Sequence, residues 1–368
     1  ILCTMINGFG RRGYYNSQEI GLGRALARKG HEVMIYKGID PSEKEEKVQV
    51  EKNLTIWYLP MKHLGAHGFM DCKYLDPQLK ALFCFGDQQI FLPHVYRWCR
   101  RRRIPFVAYV GTAHSLDSNF KSKVMNALFA AGTLRIYKKN PVLAKTSAAK
   151  EELRQLGVPH AVIAPVGLDN AVLKKNIPAD EKMRLRKEHG FEADDVILCN
   201  VSRLSWEKRP LELIDLFLQV KGKKKFKLII VGNGPLEEEL NEKIRKNGLE
   251  KEVKIYPNVP YEKMWEIYEM SDYYLNMNKG EIFGMAIMEA VYYKTSVAAI
   301  RALGPSVTLK DMKGHKLCEN DDEMAEWITG PYPSEKDLQE SSEKMAATFT
   351  WDRCADAFLQ ASSEKSSR

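Results

Sequence analysis

A chain of 368 residues exceeds the size at which one hydrophobic core keeps growing, so two domains are expected. It is 44% hydrophobic, yet no apolar run approaches the ~20 residues that a bilayer-crossing helix requires, which argues against a membrane-spanning protein. Seven cysteines, odd in number and without a Cys-x-x-Cys pair, argue against a disulfide framework or a thiolate zinc site and favour a reducing cytoplasm.

The net charge of +8 is divided unevenly. Residues 1–180 carry 27 Lys and Arg against 15 Asp and Glu, whereas residues 181–368 carry 29 against 33. The first half is therefore basic by +12 and the second acidic by −4. No nucleic-acid-binding module accompanies the basic half, so nucleic acid is not an expected partner.

Along the chain, Ile1–Ile6 is a short apolar run followed by the Gly-rich turn Asn7-Gly-Phe-Gly-Arg-Arg-Gly13, an amphipathic helix to Arg28 and a strand at Val33–Tyr36. Further strands are expected at Leu54–Leu59, Gln89–Leu92, Phe106–Val110 and Ala161–Ala164. The first domain is placed at 1–169. Arg97, Arg100, Arg101, Arg102 and Arg103 surround Trp98 and Cys99; the cluster reads either as a site for anionic lipid or a phosphate-bearing acceptor, or as a solvated helix end. A second series of strands is expected at Val196–Val201, Phe226–Val231, Val253–Tyr256, Tyr273–Asn276 and Ser296–Ile300, within a second domain at 170–348. The tail, 349–368, has Thr350 as a candidate N-cap and apolar Trp351, Ala355, Phe358 and Leu359 at helical spacing, so it needs a surface to dock on. Alternating strands and helices in both halves predict two doubly wound parallel sheets, with ligands at the carboxyl ends of the strands.

The stretch Glu281-Ile-Phe-Gly-Met-Ala-Ile-Met-Glu289 carries the most chemistry. A helix opening at Gly284 would be almost wholly apolar, so Glu289 in its early turns is a buried carboxylate that needs donors nearby. Were the helix continuous from Glu281, the two α-carbons would stand roughly 12 Å apart at ~1.5 Å rise per residue, which suits two ends of one ligand cradle. The backbone N–H groups of a helix start at Phe283, Gly284 and Met285 suit a phosphate between them. Two cations, Arg203 and Lys208, follow the strand Val196–Val201 within Ser-Arg-Leu-Ser-Trp-Glu-Lys, an Arg fork and a Lys point charge. Val231-Gly-Asn-Gly-Pro235 follows the next strand.

These motifs, in this order, resemble the donor site of the family-four retaining glycosyltransferases of GT-B fold (glycosyl transferases group 1). The resemblance implies two Rossmann-like domains facing a cleft, with a C-terminal helix returning to the first. Glu281 would lie beside the donor sugar and Glu289 would bind the ribose, while Arg203 and Lys208 would hold the diphosphate. His114, after the strand Phe106–Val110, would approach the donor sugar. Gly8 and Gly10 would line the cleft, and Gly232 and Asn258 would complete the nucleotide side. The implied reaction is retaining transfer from a nucleotide diphosphate sugar, UDP-sugar before GDP-sugar, to a glycan or lipid-linked hydroxyl in surface polysaccharide or glycoconjugate synthesis. No metal or other cofactor is expected, and location is cytoplasmic or peripheral on the inner membrane face. Departures from the family pattern at Ile282, Lys294-Thr-Ser-Val297 and Leu303-Gly-Pro-Ser306 touch the sugar and hinge regions. The alternatives are a nucleotide-sugar epimerase or phosphorylase of the same fold, or a catalytically silent nucleotide-sugar-binding partner.

Overall fold

The structure is a computed structural model that describes residues 1–4, 18–65, 67–113, 120–169 and 172–363. Among these, 1–169 together with 349–363 pack as one compact unit, and 172–348 as another.

In the first unit the strands are β1 Leu2–Cys3, β2 Val33–Ile39, β3 Glu46–Glu51, β4 Leu54–Pro60, the small ribbon β5 His63–Leu64 and β6 His67–Gly68, β7 Leu82–Phe85, β8 Phe106–Val110, β9 Val142–Ala144 and β10 Val162–Ile163. The main sheet has the order β10-β9-β8-β7-β1-β2-β4-β3 and is parallel except for β3, which pairs antiparallel with β4. The buried Leu-Phe-Cys-Phe of β7 takes the place expected of Gln89–Leu92. Those residues instead form a turn and the start of the helix Leu92–Arg102, because Pro93 fits the first helical turn and cannot donate to a central ladder.

The tail helix Trp351–Ser363 belongs to this first unit. The Thr350 hydroxyl accepts from the Arg353 N–H at 3.3 Å, and the Leu168 N–H donates to the Phe349 carbonyl at 2.9 Å, so the returning chain is stitched to the end of the first unit's own sequence. Trp351 lies so close to Gly21 on the helix Gln18–Arg28 that a Cβ there would stand 2.2 Å from the indole nitrogen. Phe358 meets Phe83 of β7 edge-on at 5.2 Å, and Lys29–Asp356 and Arg28–Asp352 pair at the rim at 2.7 and 3.2 Å. The apolar face read in the tail is thus buried on the first unit.

The second unit holds β11 Val196–Val201, β12 Phe226–Val231, β13 Val253–Tyr256, β14 Tyr273–Asn276, β15 Ser296–Ile300 and β16 Lys316–Cys318. They form one all-parallel sheet in the order β13-β12-β11-β14-β15-β16. Leu198, Leu228, Ile230, Tyr273 and Leu275 from its strands share a core with Leu213, Phe217 and Leu240 of covering helices. Because every strand points the same way, the loops after β11, β12, β13, β14 and β15 all emerge at one edge of this sheet.

Candidate active site

The carboxyl edge of the second sheet is assembled by two glycines. Gly232 (φ +140°) and Gly234 (φ +158°) bring the loop after β12 onto the loop after β11: a Cβ at Gly232 would stand 1.9 Å from the Ser202 carbonyl oxygen, and one at Gly234 2.4 Å from that of Leu204. The Leu204 N–H donates to the Asn233 carbonyl at 2.9 Å, and the Leu236 N–H to the Leu204 carbonyl at 3.0 Å, which locks the two loops together. Asn233 continues the row by donating to the Asn258 side-chain oxygen after β13 at 2.8 Å. The structure therefore gives Gly232 a packing role at this edge, with exposed Asn258 beside it.

The two cations of the β11 loop each meet a carboxylate. Lys208 Nζ stands 2.8 Å from Glu281 Oε2, joining the loop after β11 to the loop after β14. Arg203 pairs with Glu207 at 2.6 Å and donates to Ser205 Oγ at 3.3 Å. Burial pushes the Glu281 carboxyl upward, but the Lys208 charge and hydrogen bonds from Lys208, Asn278 and Asn276 outweigh it and hold the group below its ordinary range. Glu207 behaves alike: partial burial raises it, hydrogen bonds from Ser205 and Arg203 lower it more, and the result is about 2.

Two further residues of this edge, Asn276 and Asn278, belong to none of the sequence motifs. Asn276 ends β14 and Asn278 follows in the loop, both buried; Asn276 Oδ1 accepts from the Asn278 N–H at 3.0 Å, and Asn278 Nδ2 donates to Glu281 Oε2 at 3.1 Å. The signal was present in sequence as two amides directly after the apolar Tyr-Tyr-Leu of β14, where a strand end meets a ligand edge.

Glu281 lies outside the helix, which runs Met285–Tyr292 with Gly284 at its cap in the left-handed region (φ +83°). Gly304 presses on the Phe283 backbone, where a Cβ would meet nitrogen at 2.5 Å, and its N–H donates to the Glu281 carbonyl at 2.8 Å. These contacts fix Glu281, Phe283 and Gly284 in front of the helix N-terminus at Met285, whose amides favour an anion.

Glu289, only 5% exposed, finds the donors its burial demands. The Tyr268 hydroxyl donates to Oε2 at 2.9 Å, and that of Tyr261 to Oε1 at 3.3 Å. Burial, then the neighbouring carboxylate, drives the Tyr268 phenol well above its ordinary value, so it stays a proton donor. Tyr268 stacks on Tyr293 at 5.8 Å, and the Tyr293 hydroxyl accepts from the Lys174 N–H at 3.0 Å. Glu289 forms one wall of a pocket with Val172, Leu173, Tyr261, Trp265 and Tyr293. Neither tyrosine was anticipated, since nothing in their spacing distinguishes them from core aromatics.

Of the remaining expected site residues, Gly8, Gly10 and His114 lie outside the described residues, as do Arg11 and Arg12. Among the described residues no group of three or more His, Cys, Asp or Glu stands together to hold a metal, and no helix is long and apolar enough to cross a membrane.

Two doubly wound sheets, the second all-parallel and the first parallel but for β3, are the architecture of the GT-B fold. A sucrose-phosphate synthase of Thermosynechococcus elongatus superposes with a TM-score of 0.75 at 16% identity, over 100% of this chain and 99% of that one. HepE of Anabaena, solved with UDP and glucose, gives 0.70 at 16% identity over 99% of each. By sequence, a D-inositol 3-phosphate glycosyltransferase of Xylanimonas cellulosilytica is 23% identical over 98% of this chain and 94% of its own length. The family profile described as "Glycosyl transferases group 1" matches residues 181–344, which contain the whole Lys208–Glu281–Glu289 cradle. Residues 181–344 thus carry the group 1 glycosyltransferase profile, and with glycosyltransferases as its named relatives the chain is a transferase enzyme.

Proposed function

We propose that the protein transfers a glycosyl group from a nucleoside diphosphate sugar, UDP-sugar before GDP-sugar, to a glycan or lipid-linked hydroxyl with retention at the anomeric carbon. The observation that carries this is the Lys208–Glu281 pair at 2.8 Å in front of the Met285–Tyr292 helix N-terminus, with Arg203 on the same loop as Lys208. A cation and oriented amides stabilise charge that develops on a departing β-phosphate. HepE was solved with UDP and glucose, which supports the uridine reading.

In the proposed step the bond between the anomeric carbon and the β-phosphate oxygen breaks, and a bond to the acceptor oxygen forms on the same face. The acceptor's proton passes to the departing phosphate, so the sugar changes partner without a carboxylate nucleophile. Glu281 lies beside the sugar and tethers Lys208; Glu289, held by Tyr268 and Tyr261, takes the ribose; Arg203 and Lys208 take the diphosphate. The reading assigns no metal, so a chelator should leave turnover unchanged. The basic first half is read as presenting the acceptor at an anionic surface.

The test is a panel of nucleotide sugars screened by thermal shift, since a ligand of the native state raises stability with its excess over Kd. The best stabiliser is then incubated with a hydroxyl acceptor and the product's anomeric configuration is read by NMR. A UDP-sugar hit and a retained configuration are expected. An inverted product, or conversion of the donor into another nucleotide sugar without any acceptor, would overturn the assignment.

A further inference from the structure

The helix Phe120–Ala131 in the first unit is apolar on the wrong side for a core helix. Phe129 is buried against the Tyr137 ring at 5.8 Å, and Asn126 accepts from Gln88 Nε2 at 2.7 Å, so one face is anchored. On another face Phe120 is 82% exposed, Val124 42% and Leu128 50%. Their i, i+4, i+8 spacing places them in one stripe, and exposed Ala127 and Ala131 widen it. Contiguous exposed apolar surface of this kind marks an interaction site, whereas single exposed hydrophobics do not.

Two observations choose the occupant. Position is the first: Gln88 follows β7 closely, and Pro93 of the next helix meets Gly132 at the helix end, so the anchors sit at the carboxyl edge of the first sheet. That is the edge at which a doubly wound sheet meets its ligand. Charge is the second: residues 120–150 contain seven Lys and Arg and no acidic residue. Lys123 on this helix, and Arg135, Lys138 and Lys139 just beyond it, are exposed. A surface this cationic repels a second copy of itself and attracts an anionic one.

We propose that the Phe120–Val124–Leu128 stripe inserts into the headgroup boundary of an anionic lipid bilayer, with the surrounding cations on lipid phosphates, so that the first unit works on an acceptor held at the membrane. An apolar stripe flanked by Lys and Arg is the pattern of a helix that lies in a membrane interface. The purpose of the contact rests on the transferase reading above; the contact itself does not.

The experiment is co-sedimentation of the full chain with vesicles of phosphatidylglycerol and phosphatidylcholine in equal parts, and with phosphatidylcholine alone, at low and raised salt. Wild type partitions onto the anionic vesicles and is released as salt rises, because surface attraction is screened within a Debye length. F120S/V124S/L128S partitions at least about tenfold less at low salt, as loss of buried apolar area requires; the single variant Phe120→Ser shows a smaller loss and guards against misfolding of the triple. Wild-type failure to prefer anionic vesicles, or equal partition of all three proteins, overturns the proposal. So does a wild-type dimer on a sizing column that the triple variant converts to monomer without any vesicle binding. UDP titration in lipid-free buffer keeps the two readings apart: the stripe variants retain UDP binding, and loss of UDP binding by wild type itself would count against the transferase reading alone.

Discussion

The two units meet their surroundings in opposite ways. At the carboxyl edge of the second sheet the cations stand beside carboxylates, Lys208 with Glu281, Arg203 with Glu207 and Arg209 with Asp321, and the buried Glu289 has two phenols. The first unit instead displays Arg100, Arg101, Arg103, Arg135 and Lys138 on its surface and leaves Phe120 and Leu128 in solvent. A preorganised, internally neutralised edge suits one small charged ligand, because its donors are already in place when the ligand arrives. An open basic and apolar surface suits something large. On the proposed function, donor chemistry falls in the second unit and contact with the acceptor's surroundings in the first.

The sharpest way to break this comparison is at its most ordered point. Lys208→Ala should cut turnover by roughly 100-fold or more, the scale of losing a preorganised charge donor. Arg203→Ala should fall in the same direction by less, since its side chain is 37% exposed against 23% for Lys208. Full activity in both variants would remove the diphosphate assignment.

Next in size is the backbone that builds the edge. Gly232→Ala must displace the Ser202 carbonyl from 1.9 Å and adopt a left-handed φ, so a loss on the order of 3 kcal/mol is expected in chemical denaturation. Gly222→Ala supplies a milder control: it also has positive φ but nothing within 4 Å, and should cost less.

Acid titration sharpens the same contrast. The Glu281 carboxyl is held below its ordinary value when folded, so its pairing with Lys208 stabilises the protein at neutral pH and is lost as pH falls through the depressed folded value. The stability gap between wild type and Glu281→Gln, followed by urea unfolding from pH 7 downward, should therefore narrow below about pH 4. A gap that widens toward acid would contradict the ion pair. Smallest of all, Ser at Arg100, Arg101, Arg102 and Arg103 together should shift stability by no more than about 0.5 kcal/mol per site, because all four are exposed, Arg102 lying over the half-buried Trp98 ring at 4.6 Å.

Legibility in sequence followed the same division. In the second unit β11 to β15 begin and end at the residues read from the apolar runs, because each is a parallel strand bounded by polar turns and all but the edge strand β13 are largely buried. In the first unit the three-residue β9 and the amphipathic edge strand β3 offered too little apolar length, and Ile90-Phe-Leu92 imitated a strand where Pro93 starts a helix. The site divides in kind. Glu281 and Glu289 stand out in sequence as charges in or beside an apolar stretch and Lys208 as a cation after a strand; Asn276, Asn278, Tyr261 and Tyr268 do not, since their role depends on contacts between β14, its loop and a helix distant in sequence. The stripe at Phe120 was hidden for a related reason, as an apolar helical face looks the same in sequence whether the fold covers it or not.

The central claim is that the carboxyl edge of the second sheet holds a nucleoside diphosphate, with Glu289 on the ribose and Glu281 beside the sugar. Calorimetric titration of UDP into wild type, Glu289→Gln and Glu281→Gln tests it most directly. Glu289→Gln should weaken binding by about tenfold, the worth of a charged hydrogen bond, while Glu281→Gln, which releases Lys208 from its carboxylate, should bind UDP at least as tightly as wild type and lose turnover instead. Abolished binding in Glu281→Gln with unchanged binding in Glu289→Gln would contradict the account.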